Sequence, residues 1–174
     1  MPELPEVETV KRGLQKLLPG KVVVNVSFDW PKSFQSAMQD VDEFLIGAKV
    51  SRVIRRAKVL MIELETNYSL VIHLKMTGQL VFVGGANRWG AGHPNDSLIG
   101  KLPDKSTRVT INFQDGSKLF FNDQRKFGWM RLLPTPEVQN IDFFKKVGPE
   151  PLSVYFTAKE FEQRVSRRFN STIK

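Results

Sequence analysis

The chain has 174 residues, 26 Lys and Arg against 18 Asp and Glu, a formal net charge of +8 and no cysteine. That length suits one compact domain with a small appendage, and folding would bury roughly 70% of the unfolded surface. The composition, 41% apolar and 25% charged, excludes disordered and fibrous classes, while the missing cysteine excludes disulfide scaffolds, thiolate catalysis and cysteine-held zinc within these residues.

The first predicted element is a helix after Pro2. Pro5 suits the first helical position, Glu3, Glu6 and Glu8 suit the helix dipole, and Pro19-Gly20 marks the stop. Val7, Val10, Leu14 and Leu17 recur at helical spacing on one face. The acidic start is unlike a signal peptide, and no apolar run approaches the ~20 residues that span a bilayer. A monomeric, cytoplasmic protein with no membrane partner is the expectation.

From Lys21 the apolar period changes to two. KVVVNVSF, AKVSRVIRR, VLMIELE, SLVIHLK, QLVFV, TRVTINF and KLFFN read as strands, with a turn at Asp115-Gly116 and a short helix in DVDEFLIG. Closely spaced strands with short turns imply an antiparallel sandwich or barrel. The Gly/Pro-rich segment 84–106 reads as a long loop. After Leu133 the texture is helical: PEVQNIDFFKKV reads as a short helix and GPEPL as a rigid connector. FTAKEFEQRVSRRF then carries a capping box from Thr157 to Glu160, a Phe156–Phe161 staple, and exposed Arg164, Arg167 and Arg168. The fold class is therefore α+β, mainly β, with an N-terminal helix, an antiparallel β-sandwich and the beginning of a C-terminal helical domain. The boundaries fall at 1–134 for the sandwich domain, 135–152 for a linker and 153–174 for the start of the helical domain.

Three groups of residues can carry chemistry. Removal of Met1 would leave Pro2 with a secondary α-amine, and an α-amino group with an ordinary pKa of about 8 is partly neutral near pH 7. Such an amine can attack a sugar aldehyde carbon and form an iminium ion, with Glu3 beside it to move protons. Taken alone, a Met-Pro start and an acidic first turn are ordinary. Arg55, Arg56 and Lys58 form one basic cluster, and Arg125, Lys126 and Arg131 form another around Phe127; both suit phosphate contacts and equally suit solvated strand edges. Met76, in HLKMTG, is either core or a side chain that wedges into DNA vacated by an extruded base. His73 sits in an alternating strand as a buried, hydrogen-bonded histidine would, His93 has no evident partner, and Asp123 and Glu150 read as turn carboxylates. Two histidines without cysteine make a poor metal site.

PELPEVETV, RRAK at 55–58, HLKMTG at 73–78, NDQRKFG at 122–128, GPEPL at 148–152 and STIK at 171–174 occur together and in this order. The chain thereby resembles the bacterial formamidopyrimidine-DNA glycosylases, base-excision-repair enzymes that remove 8-oxoguanine and ring-opened purines. The resemblance implies Pro2 as nucleophile at C1′, Glu3 as proton donor for glycosidic cleavage, and Lys58 at the sugar and flanking phosphate, assisting β,δ-elimination. It implies damaged double-stranded DNA as partner, with Met76, Arg125 and Phe127 filling the gap left by the flipped nucleotide and His73 in the DNA-contacting set. Gln124 and Lys126 differ from the family pattern DPRRFG. Ser106, Thr107 and Arg108 stand where many members carry a histidine, so Arg108 is the electrostatic substitute there. Members continue into a helix–two-turn–helix domain, a GNIY motif and a four-cysteine zinc finger. The family thus implies one zinc, but this chain supplies no ligands for it, and the expected cofactor set is empty. Two other readings stay open: an endonuclease VIII-like glycosylase for oxidised pyrimidines, and a non-catalytic DNA-binding module.

Overall fold

The computed structural model describes residues 1–167; Arg168 and the STIK motif lie outside them. Helix α1 (Leu4–Leu17) is followed by β1 (Val23–Phe28), then by α2, a short turn at Met38–Asp40 continued by π-helical Val41–Leu45. Next come β2 (Val50–Arg56), β3 (Val59–Leu64), β4 (Tyr68–His73), β5 (Gly78–Gly84), β6 (Asn87–Gly92), β7 (Thr107–Phe113), β8 (Lys118–Asp123) and β9 (Trp129–Pro134). Two short helices end the order, α3 (Asp142–Lys145) and α4 (Ala158–Val165). Among the described residues no helix is long and apolar enough to cross a membrane.

The strands form two antiparallel sheets, β1-β7-β8-β5-β6 and β2-β3-β4-β9, so the expected sandwich is present. Their inner faces share one core built on Val53, Leu60, Ile72, Leu80, Ile111 and Phe121, capped by Val7, Val10 and Leu14 of α1. A second cluster covers the outer face of the smaller sheet, where Val138 and Phe144 lie on Val59, Met61 and Val71. Strands β3 and β4 are thus buried on both faces, which is why their sequences are nearly continuous apolar runs.

Several sequence expectations need correction. Pro5 is not the first helical residue: α1 begins at Leu4, and Glu3 is the N-cap in a reciprocal capping box with Glu6. Leu18, rather than half-buried Leu17, completes the buried face. The supposed long loop 84–106 contains β6, paired with β5. NRWGAG has few β-forming residues, so no alternating signal announces it. What holds it is α1, which packs on both β2 and β6. A Cβ on Gly13 would lie 1.9 Å from the Trp89 ring, so only glycine lets that indole lie on the helix. Strand β9 was hidden in the basic stretch after Asp123. The expected helix in PEVQNIDFFKKV divides into a 3-10 segment, Thr135–Asn140, and α3. In α4 the Thr157 hydroxyl accepts the Glu160 N–H at 3.2 Å and Phe156 meets Phe161 edge-on, as the motif implies, and no α4 residue is buried.

Candidate functional site

Strand register gathers the candidate residues at one end of the sandwich. Val59 pairs with His73 and His73 with Trp129, so the β2–β3 turn, the end of β4 and the start of β9 lie side by side. In the other sheet Gly78 pairs with Asp123, placing the start of β5 beside the end of β8. The turn carrying Lys58, the turn carrying Met76 and the loop carrying Arg125 and Phe127 therefore leave the same edge, and the start of α1 meets them there. Lys58 Nζ lies 2.5 Å from Glu3 Oε2, while Pro2, next in the chain, is buried. Residues 55 positions apart in sequence thus become one carboxylate–ammonium pair beside Pro2.

Beneath Lys58 runs a network that the sequence misread. Both sequence readings of Arg55, a phosphate contact and a solvated strand edge, put it at the surface, yet its side chain is 3% exposed. Its guanidinium donates to Glu8 at 2.8 Å, to the Ala57 carbonyl at 2.8 Å and bidentately to Glu150 at 3.0 and 2.8 Å. Burial alone would raise the Glu8 carboxyl; Arg55, Arg12 and Lys11 outweigh it and hold Glu8 down at about 2. Glu150 is held below the carboxylate range in the same way, with burial opposed by Arg55 and the Ala57 N–H. Arg56 alone of that pair is exposed.

His73 is 6% exposed. Its Nδ1 accepts the Lys75 N–H at 3.0 Å, and its ring lies 5.9 Å from Trp129 and edge-on to Phe143 at 5.4 Å. Burial, then the charges of Lys75 and Lys58, lower its pKa to about 4, so the ring is neutral at pH 7. This is the buried, hydrogen-bonded histidine that the strand pattern allows.

The second half of the site is built by Asp123, a plain turn carboxylate by its local sequence. It is fully buried and accepts the Thr77 hydroxyl, the Arg125 N–H at 3.2 Å and the Gly128 N–H at 2.6 Å. The Thr77 oxygen in turn accepts the Arg125 N–H at 3.1 Å. One carboxylate thus latches the Met76 turn to the 124–128 loop. Gly128 is required there, because a Cβ would meet the Phe121 ring at 2.6 Å. Above the latch Met76 is half-buried and Phe127 is 53% exposed, with the Arg125 guanidinium 4.9 Å from its ring. Lys126, at φ +58°, turns away over Trp30 at 4.7 Å. Trp30, which no sequence signal singled out, thereby aligns the loop from the side. An exposed phenylalanine held under an arginine on a rigid loop can insert where a flat partner opens.

Arg108 is a correction. It is 5% exposed, ion-paired with Asp29, and donates to the Asp123 carbonyl at 3.0 Å and to the Lys105 carbonyl. It braces the latch from inside and offers no charge to the surface. Thr77→Val, which keeps shape but removes the hydroxyl, is expected to cost about 1–3 kcal/mol in urea unfolding and to speed hydrogen exchange at the Arg125 amide. Thr77→Ser should restore both; equal behaviour of the two variants would remove the latch from the argument.

No metal centre suits these residues. The sequence has no cysteine, and among the described residues no three His, Asp or Glu side chains are grouped to hold an ion. The zinc implied by the resemblance finds no ligand set among the described residues.

Residues 1–130 match the family model described as the formamidopyrimidine-DNA glycosylase N-terminal domain. The formamidopyrimidine-DNA glycosylase of Pelotomaculum thermopropionicum is 38% identical over all of this chain and 58% of its own length. That of Herpetosiphon aurantiacus is 38% identical over 97% of this chain and 56% of its own. A crystal structure of the Lactococcus lactis formamidopyrimidine-DNA glycosylase, bound non-covalently to DNA containing an abasic site, superposes with a TM-score of 0.74 at 28% identity. It covers 97% of this chain and 57% of that one. The wild-type Lactococcus lactis protein with DNA containing N7-benzyl-Fapy-dG gives a TM-score of 0.76 at 29% identity, over 94% and 55%. The chain spans little more than half the length of the relatives it matches.

Proposed function

The chain belongs to the formamidopyrimidine-DNA glycosylase family, and on that basis we propose that it forms the catalytic half of a glycosylase and abasic-site lyase acting on oxidised purines in duplex DNA. The observation that carries this reading is the 2.5 Å contact of Lys58 with Glu3 beside Pro2.

Once Met1 is removed, the Pro2 nitrogen carries a lone pair and becomes the nucleophile. It attacks C1′ of the damaged nucleotide; the C1′–N bond to the base breaks, the base leaves with that electron pair and takes a proton from water, and the Pro2 N–H proton passes to the Glu3 carboxylate. Opening of the sugar breaks C1′–O4′ and gives the iminium ion, with a proton delivered to O4′. Glu3 is the donor, returning the proton it takes from the attacking Pro2 amine, while the Lys58 ammonium beside it keeps its own proton and its charge. Loss of a proton from C2′ then expels the 3′-phosphate, and a further elimination expels the 5′-phosphate. Lys58, 31% exposed, is placed to face the departing phosphate charge. Meanwhile Met76, Arg125 and Phe127 occupy the gap in the stack, which holds the nucleotide extruded. Arg125 supplies the donors that face the orphaned base.

Borohydride trapping tests the proposal. Protein beginning at Pro2 is expected to give a covalent adduct, mapped to Pro2, with duplexes carrying 8-oxoguanine or an abasic site. Protein with Met1 retained and acetylated is expected to give none. Binding to the abasic duplex without any adduct would leave a DNA-binding module, and adducts at oxidised pyrimidines but never at 8-oxoguanine would move the activity to the endonuclease VIII type.

A further inference from the structure

Resting on the function just proposed, we infer that Glu150, in the GPEPL connector, is a positioning residue for Lys58. Lys58 follows Ala57, whose φ of +50° lies in the left-handed region, a conformation that is unfavourable for a non-glycine residue. Something must hold that turn, and both polar groups of Ala57 are held. Its N–H donates to Glu150 Oε2 at 3.1 Å, and its carbonyl accepts Arg55 Nη1 at 2.8 Å. Arg55 is itself gripped bidentately by Glu150. One carboxylate therefore fixes the peptide before Lys58 directly from one side and through Arg55 from the other. Arg55 continues to Glu8 on α1, the helix that presents Pro2 and Glu3. The connector thus sets the distance between the ammonium on one turn and the carboxylate on the helix.

Reductive methylation of the intact chain reads the clamp without relying on activity. An exposed ion pair is worth up to about 1 kcal/mol, a factor of about five in the free amine partner. In Glu150→Ala, Lys58 should therefore be methylated severalfold faster, approaching its rate in Glu3→Gln, with Lys49 unchanged as internal reference. Should Glu150→Ala fail to fold, Glu150→Gln, which keeps a single acceptor oxygen, is expected to show a smaller rise in the same direction. Kinetically, strand cleavage at an abasic site should lose about tenfold or more in kcat, a barrier increase of about 1.4 kcal/mol, with KM and borohydride trapping at Pro2 nearly unchanged. A folded Glu150 variant with wild-type methylation of Lys58 would overturn the clamp. If wild-type protein beginning at Pro2 never traps, the proposed activity falls, yet the methylation rates still decide whether Glu150 positions Lys58.

Discussion

Glu3→Gln is expected to slow excision of 8-oxoguanine by about 10²- to 10⁴-fold, the usual contribution of a positioned general acid, while leaving capture of a pre-formed abasic site within about tenfold. The two substrates separate because an abasic sugar already equilibrates with its open aldehyde. Pro2 can form the iminium there without proton delivery to a leaving base or to the oxygen of an opening ring. Glutamine is the informative replacement. Its amide oxygen can still cap the Glu6 N–H that Glu3 now accepts, so helix stability should change by less than about 1 kcal/mol. It can also still accept from Lys58, so the ammonium keeps its neighbour while the proton transfer from Pro2 through position 3 to O4′ is lost. Single-turnover rates on the two duplexes check this. Equal losses on both would mean that Glu3 only aligns Pro2, and no loss on either would remove Glu3 from the chemistry.

Sequence alone made much of the fold legible, for a physical reason. Strands β3 and β4 are buried on both faces and β7 on alternate positions, so their apolar patterns are unmistakable. Strand β6 is held by Gly13 and Trp89 packing rather than by its own propensity, and a helix glycine opposite a distant tryptophan leaves no local signal. The site divides the same way. Pro2, Glu3 and Lys58 stand out through motif order, but nothing in their spacing says that they touch. Arg55 and Arg108 were read as surface charge because burial is invisible in an arginine's identity. Their partners Glu8, Glu150 and Asp29 lie 47, 95 and 79 positions away. Asp123 and Thr77 were missed for the converse reason: a buried carboxylate that organises two loops has the same local sequence as any turn. The net charge of +8 therefore overstates the free cationic surface. Arg56, Arg125 and Lys126 are exposed at this end, whereas Arg55 and Arg108 are spent inside.

Arg55→Leu is expected to destabilise the chain by about 3–5 kcal/mol, the usual cost of leaving a buried carboxylate without its partner. Leucine fills much of the volume, so the loss is electrostatic: two carboxylates on different elements, Glu8 and Glu150, and the Ala57 carbonyl each lose a donor. The acid limb of the stability curve distinguishes this from simple packing damage. Glu8 titrates near 4.5 when unfolded and at about 2 when folded. Between those values the unfolded chain binds a proton that the native chain does not, so stability rises with pH there. The Glu8 contribution is complete above about pH 5 and is lost as pH falls through 2; a 2.5-unit shift corresponds to roughly 3 kcal/mol. In Arg55→Leu only Arg12 and Lys11 remain to hold Glu8 down while burial still pushes it up. Its native pKa then climbs toward the unfolded value, and the pH dependence between about 2 and 5 flattens. Urea unfolding at pH 7, 4 and 3 measures both effects. A variant that loses several kcal/mol at pH 7 but far less at pH 3 has lost the ion network, whereas an equal loss at every pH would assign the whole effect to packing around position 55.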